Sequence, residues 1–308
     1  AGASGWTTIG TRAQPSRADA RTLSSGGSWV DYDPPYLFES SIAQNNALVT
    51  MDDGVGISVN VTRPASAAGQ PATAPLPTIV TFTPYNKNTN NVIPLGGGVD
   101  DYLVRHGYNH VVIDVRGTGR SGGAWDPFSA REQQDYAQVI DWVLQQPWCN
   151  GVIGAWGISA TATTAMLATG KHPAVKAAFP IVPHGDIYRD VVFVGGQASV
   201  GFLPIWMSIV EMLATLNPSF HDHPAQYAQA VTEHVLGVND FLIYRTSGVL
   251  LGGADSAYHN QYWAGKTDGA YAFRSLFDSG AVLVNGSDAP IEELDPLAGI
   301  RAGVRRSI

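Results

Sequence analysis

A single cysteine, Cys149, rules out any intrachain disulfide, so an ordinary packed core must hold this 308-residue chain together. Beside Trp148, that cysteine reads as a small buried hydrophobe. No stretch of 18 apolar residues occurs, which leaves no candidate membrane-spanning helix. Basic residues are scarce: Lys and Arg total 18 against 26 Asp and Glu, a net charge of −8. Nucleic acid and anionic membrane reward clustered Lys and Arg, so neither is expected as a main partner. The one basic cluster, Arg301, Arg305 and Arg306, reads as a solvated tail. Histidine is missing from one region in particular, since none follows His259.

What is present describes a globular chain. Hydrophobic residues at 44% and charged residues at 14% supply a substantial core. The length suits one large α/β domain with an insertion, or two domains. A start at Ala-Gly-Ala-Ser-Gly, with little lysine and abundant Ala, Thr, Ser and Gly, fits a bacterial protein exported and freed of its leader. A chain trimmed from a longer cytoplasmic protein would begin the same way. Oligomeric state is left open.

Residues 1–45 are rich in Ser, Gly, Pro and Asp without a sustained period and read as an irregular arm. A β-hairpin follows: Ala47 to Met51, the turn Asp52-Asp53-Gly54, and the alternating run Val55 to Val61. Thr78 to Phe82 and His110 to Asp114 are short apolar runs of the kind buried on both faces of a parallel sheet. Asp114 to Gly123 is glycine-rich, but it lacks the Gly-Lys-Ser/Thr ending of a phosphate loop and reads as a tight turn stiffened by an Asp–Arg pair. Ser129-Ala130-Arg131-Glu132 is a capping box, and Tyr136, Val139, Ile140 and Val143 then recur at helical spacing. A strand at Val152 to Trp156, a helix at 160–170 and a strand at Val175 to Val182 continue the alternation that marks βαβ units.

Beyond residue 195 that alternation stops. Phe202 to Leu216 and Ala225 to Val235 read as helices, so 46–195 is expected to be the first part of the core and 196–280 an inserted helical cap. Ala281 to Asp288 then resumes the sheet, and 281–308 is read as a truncated continuation of the core. Phe202, Trp206, Met207 and Met212 would line an apolar acyl pocket beneath the cap.

The chemistry is concentrated at Gly157-Ile158-Ser159-Ala160-Thr161, between an apolar strand and a helix. That context makes a nucleophile elbow, in which the serine Oγ stands clear of the sheet and the next backbone N–H points to a forming oxyanion. The competing reading is a plain helix N-cap. Thr161 occupies the place of the second glycine of G-x-S-x-G, where it would either crowd the turn or widen it.

Several further motifs join this one. They are Asp53-Gly54-Val55, Pro84-Tyr85-Asn86-Lys87, Gly107-Tyr108, Asp114-x-Arg116-Gly117-x-Gly119-x-Ser121, Pro147-Trp148-Cys149-Asn150-Gly151, Gly154-x-Trp156-Gly157-Ile158-Ser159 and Asp186-Ile187-Tyr188-Arg189-Asp190. In combination, from about residue 46 to 195, the chain resembles the X-Pro dipeptidyl-peptidase (S15) and cocaine-esterase-like (CocE/NonD) hydrolases. The resemblance implies an α/β-hydrolase fold, a mostly parallel sheet with helices on both faces and an inserted helical cap. It also implies cleavage of a small-molecule ester or amide through an acyl-enzyme, with no metal and no cofactor. Carried over, Ser159 is the nucleophile, the Ala160 N–H and the Tyr85 phenol are the oxyanion donors, and Asp288 is the triad acid, with Asp295 a weaker substitute. An ordinary turn tyrosine is the plainer reading of Tyr85.

The chain departs from the pattern at the residues after the serine, where the family has an aromatic and then glycines. No counterpart of that family's C-terminal jelly-roll domain is expected within these 308 residues, and the order Ser, acid, His calls for a histidine after the acid, whereas none follows His259 here. His184 and His259 are the remaining candidates for the base. A serine hydrolase with ester preference is the leading expectation. An X-Pro dipeptidyl aminopeptidase is the runner-up, and a catalytically silent binding protein of the same fold is the alternative from another class.

Overall fold

The computed structural model describes residues 34–88, 99–194, 197–199, 202–215, 224–237 and 282–283. Strands β1 (Ser40–Thr50), β2 (Gly56–Ala65), β3 (Leu76–Thr83), β4 (Asn109–Asp114), β5 (Cys149–Ile158) and β6 (Val175–Ile181) build one sheet. Strands β7 (Phe193–Val194) and β8 (Gln197–Ala198) make a separate small hairpin, and β9 (Val282–Leu283) returns to the main sheet. The helices are α1 (Asp101–Arg105), α2 (Ala130–Leu144), α3 (Ala160–Lys171), α4 (Leu203–Thr215) and α5 (Pro224–Leu236). The order across the sheet is β1-β2-β4-β3-β5-β6-β9. Strand β2 runs antiparallel to β1 and β4, while β4, β3, β5, β6 and β9 are mutually parallel.

This is the arrangement of the α/β-hydrolase fold, and the sequence pattern explains its middle. Val80, Phe82, Val111 and Ile113 of β3 and β4 are buried, as unbroken apolar runs require. Parallel neighbours need crossovers, and α2 and α3 supply them, with Tyr136, Val139, Ile140 and Val143 of α2 in the core. Ser129 caps α2 by accepting the Glu132 N–H at 3.2 Å. The reciprocal half of the expected capping box is replaced: the Ser129 N–H goes to the Asp126 carbonyl, and the buried Glu132 carboxylate takes the Tyr136 hydroxyl.

One local expectation is corrected and another is refined. Strand β1 begins at Ser40, inside the stretch read as an irregular arm, and its register shifts between Gln44 and Ala47. Residues 40–45, Ser-Ser-Ile-Ala-Gln-Asn, show no apolar alternation and are mostly exposed, because an edge strand carries backbone bonds without needing an apolar face. In the glycine-rich turn after β4, Asp114 does its stiffening through a lysine and two backbone amides, one of them from Arg120, and Arg116 bonds elsewhere. Asp114 accepts the Lys87 N–H at 2.6 Å, the Lys87 ammonium at 3.0 Å and the Arg120 N–H at 2.9 Å. Gly119, at φ 52, lies so close that a Cβ there would stand 2.3 Å from the Asp114 carboxylate. Arg116 turns the other way, bidentate to Asp135 at 2.7 and 2.8 Å and paired with Asp53 at 2.9 Å, which ties the hairpin turn to α2.

One buried titratable group sets an acid limit. His110 in β4 is 0% exposed, its Nδ1 accepts the Asp100 N–H at 3.2 Å, and its Nε2 lies 3.0 Å from Thr81 Oγ1. Burial disfavours the imidazolium and pushes its pKa down to about 3. The unfolded chain binds the proton at about pH 6.5, so stability conferred by the neutral ring is full above that pH and is lost as pH falls toward 3. Between pH 6 and 5 the expected loss through this group is about 1 kcal/mol. Urea unfolding at the two pH values should show a steeper fall in the wild type than in His110→Gln. Parallel profiles would contradict the assignment.

Candidate active site

The register of the sheet brings three of the sequence-predicted residues, Tyr85, Ser159 and Ala160, to one place. Strands β3 and β5 are adjacent and parallel, with Val80 opposite Ala155. Continued past both carboxyl ends, that pairing sets Tyr85 level with Ala160, at the edge where open α/β sheets gather their ligands.

Ser159 occupies the corner between β5 and α3. Its backbone sits at φ 57, ψ −123, a conformation that favours glycine, and its side chain makes no cap bond to α3. An N-cap serine would sit in the extended region with its oxygen turned to the helix amides, as Ser129 does. The N-cap reading of Ser159 therefore fails on both counts. Gly157 is the residue that makes the corner possible, since a Cβ there would lie 2.4 Å from the Thr161 backbone and hydroxyl.

Thr161 neither crowds the turn nor widens it. It is fully buried, its hydroxyl accepts the Ile158 N–H at 2.6 Å and donates to the Ile158 carbonyl at 2.7 Å, and so it clasps the elbow from inside. Three residues on, the Thr164 hydroxyl donates to the Phe82 carbonyl at 2.7 Å and fastens α3 to the end of β3.

Tyr85 leaves β3 through a turn in which its N–H donates to Thr83 Oγ1 at 3.0 Å and Asn86 takes φ 61, a conformation asparagine tolerates. The ring is buried, and its hydroxyl lies within hydrogen-bonding reach of both the Ser159 side chain and the Ala160 N–H. Burial pushes the phenol above its ordinary pKa, and the bonds from Trp206, Ser159 and Ala160 pull against that rise. The phenol thus stays protonated, as a donor, through the neutral range. A serine oxygen, a backbone N–H and a neutral phenol meeting at one point can receive a carbonyl, with the donors facing the oxygen that becomes negative.

Sequence reasoning missed what lies behind Tyr85. The Trp206 indole of α4 donates to its hydroxyl at 3.0 Å, and the Asn86 side-chain amide donates to the Leu213 carbonyl at 2.7 Å. Of the residues expected to line an acyl pocket, Met207 is instead in the core with Leu203, Val210 and Leu213, while Phe202 and Met212 are about half exposed. Asp288, Asp295 and His259 lie outside the described residues. His106, His110, His172 and His234 have partners of their own: Pro34, Thr81, Asp141 and the Ser121 carbonyl. Among the described residues, no helix is long and apolar enough to cross a membrane.

Comparison with known proteins places these features in context. The chain matches the family described as X-Pro dipeptidyl-peptidase (S15 family) over residues 53–273, more than half of its length. A Mycobacterium bovis protein provisionally named a serine esterase is 35% identical over 181 residues, a match covering 53% of this chain and 28% of that protein. Cocaine esterase of a Rhodococcus strain is 31% identical over 170 residues, covering 54% of this chain and 28% of its own. The crystal structure of a CocE/NonD family hydrolase from Staphylococcus aureus superposes with a TM-score of 0.50 and 28% identity, over 62% of this chain and 38% of that one. The chain therefore spans less than a third of the length of these curated relatives.

Proposed function

Since this chain belongs to the X-Pro dipeptidyl-peptidase (S15) family, we propose that it carries the nucleophilic half of a serine hydrolase that cleaves carboxylic esters through an acyl-enzyme. The observation that carries the reading is the posture of Ser159, held in a glycine-like conformation with its hydroxyl uncommitted to α3 and facing Tyr85, which the Ala160 N–H also meets. In the proposed reaction, Ser159 Oγ attacks the ester carbonyl carbon and passes its proton to a base. The carbonyl oxygen, now negative, lies between the Tyr85 O–H and the Ala160 N–H. Collapse expels the alcohol, which takes up the proton, and water then repeats the sequence on the acyl-serine to release the acid. Asp288, a few residues past β9, is the proposed partner of the base, in the chain order Ser, acid, His.

Ester is ranked above peptide because an amide starts from a more stable ground state and its nitrogen must be protonated to leave, which demands more of the acid–base pair. Initial rates on an aryl acetate and on Ala-Pro and Gly-Pro anilides test the ranking. Faster ester turnover is expected; faster anilide cleavage would make the chain a dipeptidyl-peptidase. The engagement of four histidines elsewhere supports a second reading, a silent binding protein of the same fold, and it predicts turnover of neither class.

A further inference from the structure

From the geometry behind Tyr85 we infer that Trp206 is a positioning residue for the oxyanion hole, its indole N–H fixing the direction of the Tyr85 hydroxyl proton and so making the oxyanion hole depend on the docked α4 helix. The inference rests on the hydrolase reading above and adds a part to it.

A phenol oxygen has one proton to donate and can accept from other groups, and nothing in the ring itself decides where that proton points. Around Tyr85 stand three partners: Trp206 Nε1 at 3.0 Å, the Ala160 N–H and the Ser159 hydroxyl. Indole nitrogen is a donor only. Trp206 therefore occupies an accepting direction of the oxygen permanently, in the resting enzyme and in the transition state alike. When a substrate carbonyl enters, the Ala160 N–H turns to it and the phenol must supply the second donor. With Trp206 in place the O–H stays aimed into the site, and donation into its oxygen polarises it toward giving its proton.

The indole is itself held. Its ring packs against Trp125 with centroids 5.5 Å apart and planes inclined by 56°. Its helix is fixed by the buried face Leu203, Met207, Val210 and Leu213, which belongs to the same core cluster as Tyr85. The bond from Asn86 to the Leu213 carbonyl fastens the two ends of the arrangement, so the loop after β3 and α4 form one unit. If α4 shifts, the hydroxyl of Tyr85 loses its fixed partner even though the ring stays packed.

A mere packing role and a positioning role make different predictions in a double-mutant cycle. The measurement is the second-order rate of fluorophosphonate attachment to Ser159 in the wild type, Trp206→Phe, Tyr85→Phe and the double variant. Phenylalanine keeps most of the ring and removes the N–H. Trp206→Phe should slow attachment about 5- to 10-fold, the effect of one neutral hydrogen bond. Added to Tyr85→Phe it should do nothing more, because its only route is through the missing hydroxyl. Losses that multiply would overturn the inference and leave the hydrolase reading standing; a wild-type chain that never reacts would overturn both. The bond has its own readout in the Trp206 indole N–H resonance, identified by its disappearance in Trp206→Phe. It should move upfield in Tyr85→Phe, and an unmoved signal would also overturn the inference.

Discussion

Replacing Ser159 by alanine is expected to lower ester turnover by about 10⁶-fold, to the residue that binding and an oxyanion hole provide without a nucleophile. The same change should cost almost nothing in stability, because the Ser159 side chain makes no cap bond to α3. Intact mass after fluorophosphonate treatment should show one adduct on the wild type and none on the variant, with thermal unfolding midpoints that coincide. Glycine makes the sharper companion. At φ 57, ψ −123 any residue with a Cβ is strained by about 1–3 kcal/mol, and glycine is relieved of it. Ser159→Gly should therefore be as inert as the alanine variant yet at least as stable as the wild type. A glycine variant that is clearly less stable would mean that the corner is maintained for packing, and that Ser159 is not where the fold stores strain for chemistry.

How much of this could be read beforehand depended on the range of the interaction. The strands at Thr78–Phe82 and His110–Asp114 and the helix around Tyr136 were legible, because burial on a sheet leaves a local pattern in the residues themselves. The exposed first half of β1 left no such mark, since an edge strand at Ser40–Asn45 is specified by its backbone partner in β2. Ser159 was legible from strand, turn and helix together. Tyr85 has no local signature and came only with the family resemblance. Its bond to Trp206 joins residues 121 positions apart, and no periodicity in either segment encodes it. Thr161 shows a different limit: its deviation from glycine was visible, but the sign of its effect lay in two hydrogen bonds to Ile158 that only the folded elbow creates.

Changing Tyr85 to phenylalanine should separate the oxyanion hole from everything else at the site. The loss expected is about 10²–10³-fold in kcat, with KM for an aryl ester nearly unchanged, because the phenol bonds strongly only to the charged oxygen of the transition state. Affinity for a phosphonate or boronate that mimics the tetrahedral state should fall in parallel with kcat. Stability should also drop, by about 1–2 kcal/mol, since the partly buried Trp206 N–H loses the acceptor it has at 3.0 Å. That cost distinguishes this variant from Ser159→Ala, which leaves the bond between Trp206 and Tyr85 in place. The pH profile adds a check with a definite sign. Burial holds the phenol above its ordinary pKa, so it remains a donor below about pH 10. Any alkaline loss of wild-type activity between pH 8 and 10 must then come from another group and persist in Tyr85→Phe. A Phe variant within threefold of the wild type would assign the second donor to another group and reduce Tyr85 to an ordinary turn residue. A full loss in kcat with KM intact would mean that the loop after β3, and with it the helix docked upon it, serves the transition state.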